Sequence, residues 1–315
     1  MLAYVVGRLL QTIPVLFLTS VIVFLFLRAV PGDPAMVMAG QNATPQQLEA
    51  LRKRFGLDEP LVTQYATWMS RLARGDLGTA YVTERPISSL ILQRLPATLH
   101  LAFGAMFVML VVGMPLGILG AIRPYHPLSQ LLSMLVAIAL AVPTFWLGIL
   151  LILVFAVSRD WLPASGYVSV FDQPVEAITR LILPSLTLGS FGTAVLIRFL
   201  KSSISEAGNA DFVRTAYAKG LRERAVILGH VLRIALLPVV TILAIQFGQL
   251  LGGAVVTEAI FGWPGVGRLI LDAIGNRDYL IVQSTMLLFV ATFVVLNILA
   301  DVCYALLDPR IRLGR

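Results

Sequence analysis

Six stretches of this chain are apolar for long enough to cross a lipid bilayer: approximately 9–29, 97–121, 129–157, 180–200, 234–256 and 283–306. Crossing about 30 Å of hydrocarbon takes roughly 20 helical residues. Inside that layer every backbone N–H and C=O needs a protein partner, so only helices and closed barrels span it. The runs lack the two-residue alternation of a barrel strand and are far too long for one. The expected fold is all-α, an integral membrane protein with six transmembrane helices. Composition agrees: hydrophobic residues make up 58% of the 315 and charged residues 13%, where a soluble domain carries about a quarter charged.

Arg8 ahead of the first run resembles the start of a signal peptide. The run is too long for one, though, and ends in Arg28-Ala29-Val30-Pro31 without a small-x-small cleavage pattern. It reads as an uncleaved anchor. With the N-terminus placed inside, the inner segments hold the cations Arg8, Arg123, Arg198, Lys201, Arg214, Lys219, Arg222, Arg224, Arg233, Arg310, Arg312 and Arg315. Only Glu206, Asp211, Glu223 and Asp308 oppose them. The chain's net charge of +7 therefore leaves the remainder at −1. This is the positive-inside asymmetry: both termini are expected in the cytoplasm. The basic excess then serves topology and the inner leaflet rather than nucleic acid. Cys303 is the only cysteine, so no intrachain disulfide exists.

The runs divide the chain into a tail and first span (1–30), an extracytoplasmic excursion (31–95) and a five-helix membrane core (96–315) with an inner loop at 201–233. In the excursion, Thr44 and Pro45 predict a helix start that runs through Leu51 and Phe55 to Gly56. A second amphipathic stretch at 60–74 carries Leu61, Tyr65, Trp68, Met69 and Leu72 on one face. Both could simply lie against the membrane rim. The outer loop 257–282 contains Trp263, Pro264, Gly265 and Gly267, whose tight turns predict a re-entrant or surface-lying element.

Catalytic signals are weak. A phosphate-binding loop ends in Gly-Lys-Ser/Thr, but Lys53, Lys201 and Lys219 follow Arg52, Leu200 and Ala218. The glycines at 262–267 miss the dinucleotide pattern, because Ile270 stands where the third glycine belongs. His100, His126 and His230 lie too far apart in sequence for a preformed zinc site, so no catalytic or metal residue is expected. Gly189-Ser190-Phe191-Gly192 is similar to the serine motif of intramembrane proteases, against the simpler reading of Ser190 as a small residue in a helix contact.

Polar residues within spans are costly and usually face a cavity or another helix. Ser190 and Thr193 in the fourth run, with Gln246 and Gln249 in the fifth, are candidates for a translocation path. Close bundle packing is the competing reading. Gly248 and Gly252 make a small-xxx-small step, and Pro143 and Pro184 are expected to interrupt their helices.

Within loop 201–233, the residues from Asp211 to Gly220 predict a short helix. Phe212, Ala216 and Lys219 share a face, Val213 and Tyr217 lie beside it, and Gly220 closes it. It suits either a groove on another protein or the inner leaflet, and composition leaves both open. The segment Asp211-Phe212-Val213-Arg214-Thr215-Ala216-Tyr217-Ala218-Lys219-Gly220, with Leu237-Pro238, resembles the cytoplasmic loop of binding-protein-dependent ABC importer permeases. Arg214-Thr215-Ala216 stands where that motif has Glu-Ala-Ala, and Gly220 keeps its spacing. The long interval from Gly220 to Pro238 resembles the dipeptide/oligopeptide/nickel branch. So do Arg8-Leu9-Leu10 with Pro31-Gly32-Asp33-Pro34, the segment 261–268 with Arg277-Asp278-Tyr279, and Leu307-Asp308-Pro309-Arg310-Ile311-Arg312.

The resemblance implies a type I ABC importer permease of the bacterial inner membrane, translocating peptides or a similar small solute. Its implied partners are a homologous second permease, two ATPase subunits and an extracytoplasmic solute-binding protein. ATP and magnesium would be bound by the ATPases, with no cofactor in this chain. The ATPase-coupling helix would comprise Asp211, Phe212, Arg214, Thr215, Ala216, Lys219 and Gly220, with Glu223 just beyond. The alternative is an ion-coupled secondary transporter, for which Asp301 is the acid clearly inside a span.

Overall fold

The computed structural model describes residues 2–30, 32–40 and 43–307. Pro31 and the closing motif at 308–312 lie outside the described residues, as do the side chains of Arg8, Leu9, Asp301 and Cys303. The described residues are helical throughout, with one isolated antiparallel bridge between Thr79 and Pro86. In chain order the helices are α1 (Leu2–Ala29), α2 (Pro34–Ala39), α3 (Pro45–Phe55), α4 (Leu61–Leu72), α5 (Ile87–Val108), α6 (Met114–Ile122), α7 (Pro127–Ala141) and α8 (Thr144–Leu151). They continue with α9 (Pro174–Gly208), α10 (Asp211–Ala218), α11 (Glu223–Val226), α12 (Leu232–Ala235), α13 (Leu237–Ile260), α14 (Val266–Gly275) and α15 (Tyr279–Leu307). Single turns of wider π geometry occupy 109–113, 152–157 and 227–231.

Among the described residues five helices are long and apolar enough to cross a membrane: Leu10–Ala29, Ile87–Ile122, Pro174–Gly208, Pro238–Ile260 and Tyr279–Leu299. The expected span at 129–157 is not one straight helix. Pro127–Ala141 and Thr144–Val157 meet at a bend of 106°. The residue before a proline avoids helical geometry, and Val142 is accordingly extended (φ −78°, ψ 127°). Pro184, expected to interrupt its helix in the same way, does not: α9 runs through it, with Leu183, Pro184 and Ser185 all buried. Packing of Leu183, Pro184 and Ser185 against neighbouring helices holds the helix together where local sequence would release it.

The described residues form two compact units, one combining 99–262 with 295–307, the other lying within 2–98 and 263–294. In the first, α9 is the central rod, packed against α6, α7, α8 and α13. Its 35 residues extend for about 52 Å at 1.5 Å per residue, well beyond the hydrocarbon thickness.

The second unit holds the excursion helices. Thr44 and Gln47 form a reciprocal capping box at the start of α3, and Gly56 ends it in the left-handed region. Asp33 does two jobs: its carboxylate accepts from the Ala35 amide, capping α2, and receives the Arg52 guanidinium at 2.6 Å. The Tyr279 hydroxyl donates to the Gly32 carbonyl (3.3 Å). Two sequence motifs 247 residues apart thus meet in one unit. Beside them Asp278, 1% exposed, accepts from the amides of Tyr81 (2.6 Å), Val82 (3.4 Å) and Ile281 (3.2 Å). Burial pushes its carboxyl above the usual carboxylate range, and the amide donors pull against that shift.

Replacing Asp278 by Asn would turn an NH₂ toward amides that need an acceptor. The expected cost is about 1–3 kcal/mol for the orphaned donors, measured as a lower midpoint of thermal unfolding in detergent.

Candidate functional site

Helix α10 follows α9 after only Asn209 and Ala210, and its two faces differ. Val213 and Ala216 are buried in a cluster with Ile204 and Ala207 of α9 and Val226, Val231 and Ala235 beyond, while Phe212 packs at its edge. Asp211, Arg214, Thr215, Tyr217, Ala218 and Lys219 are exposed. The face drawn from sequence through Phe212, Ala216 and Lys219 is therefore rotated, because α9 and the 226–235 segment claim Val213 and Ala216 together. The helix ends at Ala218 with Lys219 as its cap. Gly220 supplies the left-handed turn (φ 78°) and donates to the Tyr217 carbonyl at 2.9 Å. Glu223 starts α11 and is exposed. The outward surface carries Tyr217 and Leu221, about half exposed (48% and 40%), among charges of both signs.

The four candidate path residues do not share an environment. Ser190 donates to the Thr187 carbonyl (2.8 Å) and Thr193 to the Gly189 carbonyl (2.7 Å), so each is satisfied by its own helix. The Ser190 bond also removes the hydrolase reading, since its hydroxyl donates to a carbonyl and to no histidine. Gln246 is buried against Gly192 of α9, whereas Gln249 points away and is exposed. Gly252 joins Gln249 on that open side: a methyl there would touch nothing within 4 Å. The small-xxx-small step at Gly248 and Gly252 thus makes no helix contact within this chain at its second glycine.

The close contact lies elsewhere. A Cβ on Gly189 would come within 2.8 Å of the Ala105 carbonyl oxygen, and one on Gly192 within 2.6 Å of the Met109 Sδ. Gly189 thus marks a close backbone approach to α5. In the sequence these glycines stood out only in the Gly189-Ser190-Phe191-Gly192 motif, and nothing local marks which face of α9 meets α5.

The outer-loop residues are structural. Trp263 is 1% exposed and its indole N–H donates to the Ala97 carbonyl at 2.7 Å. Gly265 caps α14, whose Val266 amide donates to Thr98 Oγ1 (2.8 Å), and Gly267 is buried within the helix. Pro264 is half-buried between them. A surface-lying element is therefore not what 263–275 forms: its apolar face supplies the unit's core.

Residues 113–313 match the family described as binding-protein-dependent transport system inner membrane component, and residues 1–102 match the N-terminal region of that membrane component. The chain belongs to this family. It is a permease subunit of an ABC importer, a multi-pass protein of the bacterial inner membrane. Similar proteins include the glutathione transport system permease protein GsiC of Escherichia coli O6:H1, 44% identical over 314 residues and 99% of both chains. The GsiC proteins of Escherichia coli K12 and Shigella flexneri serotype 5b are each 43% identical over the same extent. Two structures titled as inward-facing conformations of the MetNI methionine ABC transporter share the fold. They have TM-scores of 0.56 and 0.58, at 19% and 17% identity, covering 70% of this chain and 96% and 97% of those chains.

Gly189→Ala in this permease is expected to force α5 and α9 apart, an overpacking cost of about 1–3 kcal/mol. Gly252→Ala, facing open space, should leave the isolated chain's stability unchanged. Paired thermal unfolding curves in detergent check both.

Proposed function

We propose that this permease carries a peptide-like solute across the inner membrane by alternating access, driven by two separate ATPases through α10. The observation that carries this reading is the two-faced α10. Its inner face is anchored on the end of α9, and its outer face presents Tyr217 and Leu221 amid charges, a surface suited to a groove on a partner. A displacement of α10 passes directly to α9, against which α6, α7, α8 and α13 pack. ATP, bound by the partners, favours their closed pair and so shifts the bundle between its two states. The inner placement of α10, and of both termini, rests on the positive-inside charge distribution. The open side of α13, with Gln249 and Gly252, is where a homologous second permease would pack and complete a path along Gln249.

The relatives named for glutathione transport support a cargo among small peptides of that kind, which an extracytoplasmic binding protein would hand over. An ion-coupled carrier is the second reading. It draws on Glu258, which sequence reading left outside the fifth run at 234–256. The structure places it near the end of α13, fully buried.

The two readings separate in uptake assays. Collapsing the proton gradient should leave uptake intact while ATP depletion stops it; the reverse pattern would establish the ion-coupled carrier. A charge on the outer face of α10, as in Thr215→Glu or Ala218→Asp, should reduce uptake and substrate-stimulated ATP hydrolysis about tenfold, equivalent to about 1.4 kcal/mol of docking energy. The protein should still reach the membrane at its usual level. Normal uptake in both variants would refute the docking role. Ala216→Asp, by contrast, should fail to accumulate, because Ala216 lies in the core beneath.

A further inference from the structure

An open cleft of about 400 Å³ lies in the second unit, within the usual size of a small-molecule site. Gln283 of α15 lies in its wall, 0% exposed, with neither its amide nitrogen nor its carbonyl oxygen hydrogen-bonded. A side-chain amide offers two donors and an acceptor with two lone pairs, and leaving all of them buried and unmet is costly. Native proteins rarely tolerate such a group without a ligand or other reason for it.

The cations of the cleft are equally telling. Lys53 and Arg54 are matched by Glu49 and Glu84. Arg28 and Arg71 have no carboxylate within ion-pairing distance among the described residues. Arg28 instead donates Nε and one terminal nitrogen to the neutral Gln64 oxygen (3.0 and 2.9 Å) and the other nitrogen to the Phe24 carbonyl (3.2 Å). It lies 3.4 Å over the Phe24 ring. Gln64 is itself fixed for this task, since its NH₂ donates to the Leu57 and Glu59 carbonyls (3.1 and 2.8 Å). Three of the five guanidinium N–H groups are thereby used and two remain for a ligand. Glu59, without an ion-pair partner among the described residues, and Asp76 also line the cleft, as do the rings of Phe55, Trp68 and Tyr81.

From this set we infer that the cleft binds a small zwitterion bearing a carboxylate and an amide or ammonium group, of the size of a dipeptide. The guanidinium of Arg28, with Arg71, takes the carboxylate, an arrangement suited to the planar fork of arginine. Gln283 meets the peptide group with both its donor and its acceptor, Glu59 takes the ammonium, and the aromatic walls cover apolar side chains. None of Ser190, Thr193, Gln246 and Gln249 lines this cleft, so the site is additional to the candidate path. It stands independently of the docking role of α10.

The test is calorimetric titration of the full chain, purified in lipid nanodiscs with its co-purifying subunits and without binding protein or ATP. The probes are alanyl-alanine, its C-terminal amide and inorganic phosphate. Alanyl-alanine should bind, and the amide should bind at least about tenfold more weakly, as expected for loss of a charge-assisted pair. Arg28→Gln should weaken the dipeptide to a similar degree, while Arg74→Gln, outside the cleft, should not. Gln283→Leu should also weaken binding, yet the empty protein should unfold at the same or a higher temperature, because an unmet polar group is replaced by an apolar one of similar volume. A lower unfolding midpoint for Gln283→Leu, with unchanged dipeptide affinity, would make the residue purely structural and overturn the inference. So would absence of dipeptide binding up to about 10 mM, a free energy too small to matter here, equal affinity for the amide, or binding of phosphate alone.

Discussion

A helix inside lipid gains nothing from hiding apolar side chains from other apolar side chains; what it gains comes from close packing and satisfied polar groups. The architecture around α9 follows from that constraint. Gly189 lets the backbone of α5 come into contact, Gly192 makes room for the Met109 side chain, and the hydroxyls of Thr187, Ser190 and Thr193 bond carbonyls of α9 itself rather than seeking neighbours. A rod packed this tightly moves as a unit. Its position at the centre of the bundle, with α10 joined to its end, makes one helix both the structural axis of this unit and the natural carrier of any displacement received at its tip.

The second unit solves a different problem. Its excursion helices are short and partly exposed, and short helices are marginal alone. They are tied down by polar devices instead: the Thr44–Gln47 capping box, the Asp33–Arg52 pair, and the three amides gathered on Asp278. The motif residues at 32–34 and 277–279 serve this internal fastening, as does Trp263. Against so well-fastened a background, the unmet amide of Gln283 beside the likewise unmet Thr285 hydroxyl, and Arg28 with no carboxylate partner among the described residues, stand out.

Much of the fold was legible in order. The helix starting at Thr44 and ending at Gly56, the amphipathic α4 and the short α10 are written in local chemistry: a cap, a φ-fixing proline, a left-handed glycine. The failures are equally local in form. Pro143 and Pro184 look alike in sequence, yet one breaks its helix and the other is carried through where it and both its neighbours are buried. Gln246 and Gln249 are three residues apart, and packing against Gly192 buries the first and leaves the second open. Glu258 counted as loop because of its charge, although its helix continues to Ile260.

The amino-acid sequence by itself determined the membrane class, the number of apolar runs, the charge asymmetry between loops and the family pattern. These depend on transfer free energies and on residue spacing, which are properties of the chain alone. Which face of α10 is buried, which glycine lets α5 approach, and which polar groups stay unmet beside Arg28 were decided only in three dimensions. Each depends on side chains far apart in sequence competing for the same few ångströms, and no local pattern encodes the outcome of that competition.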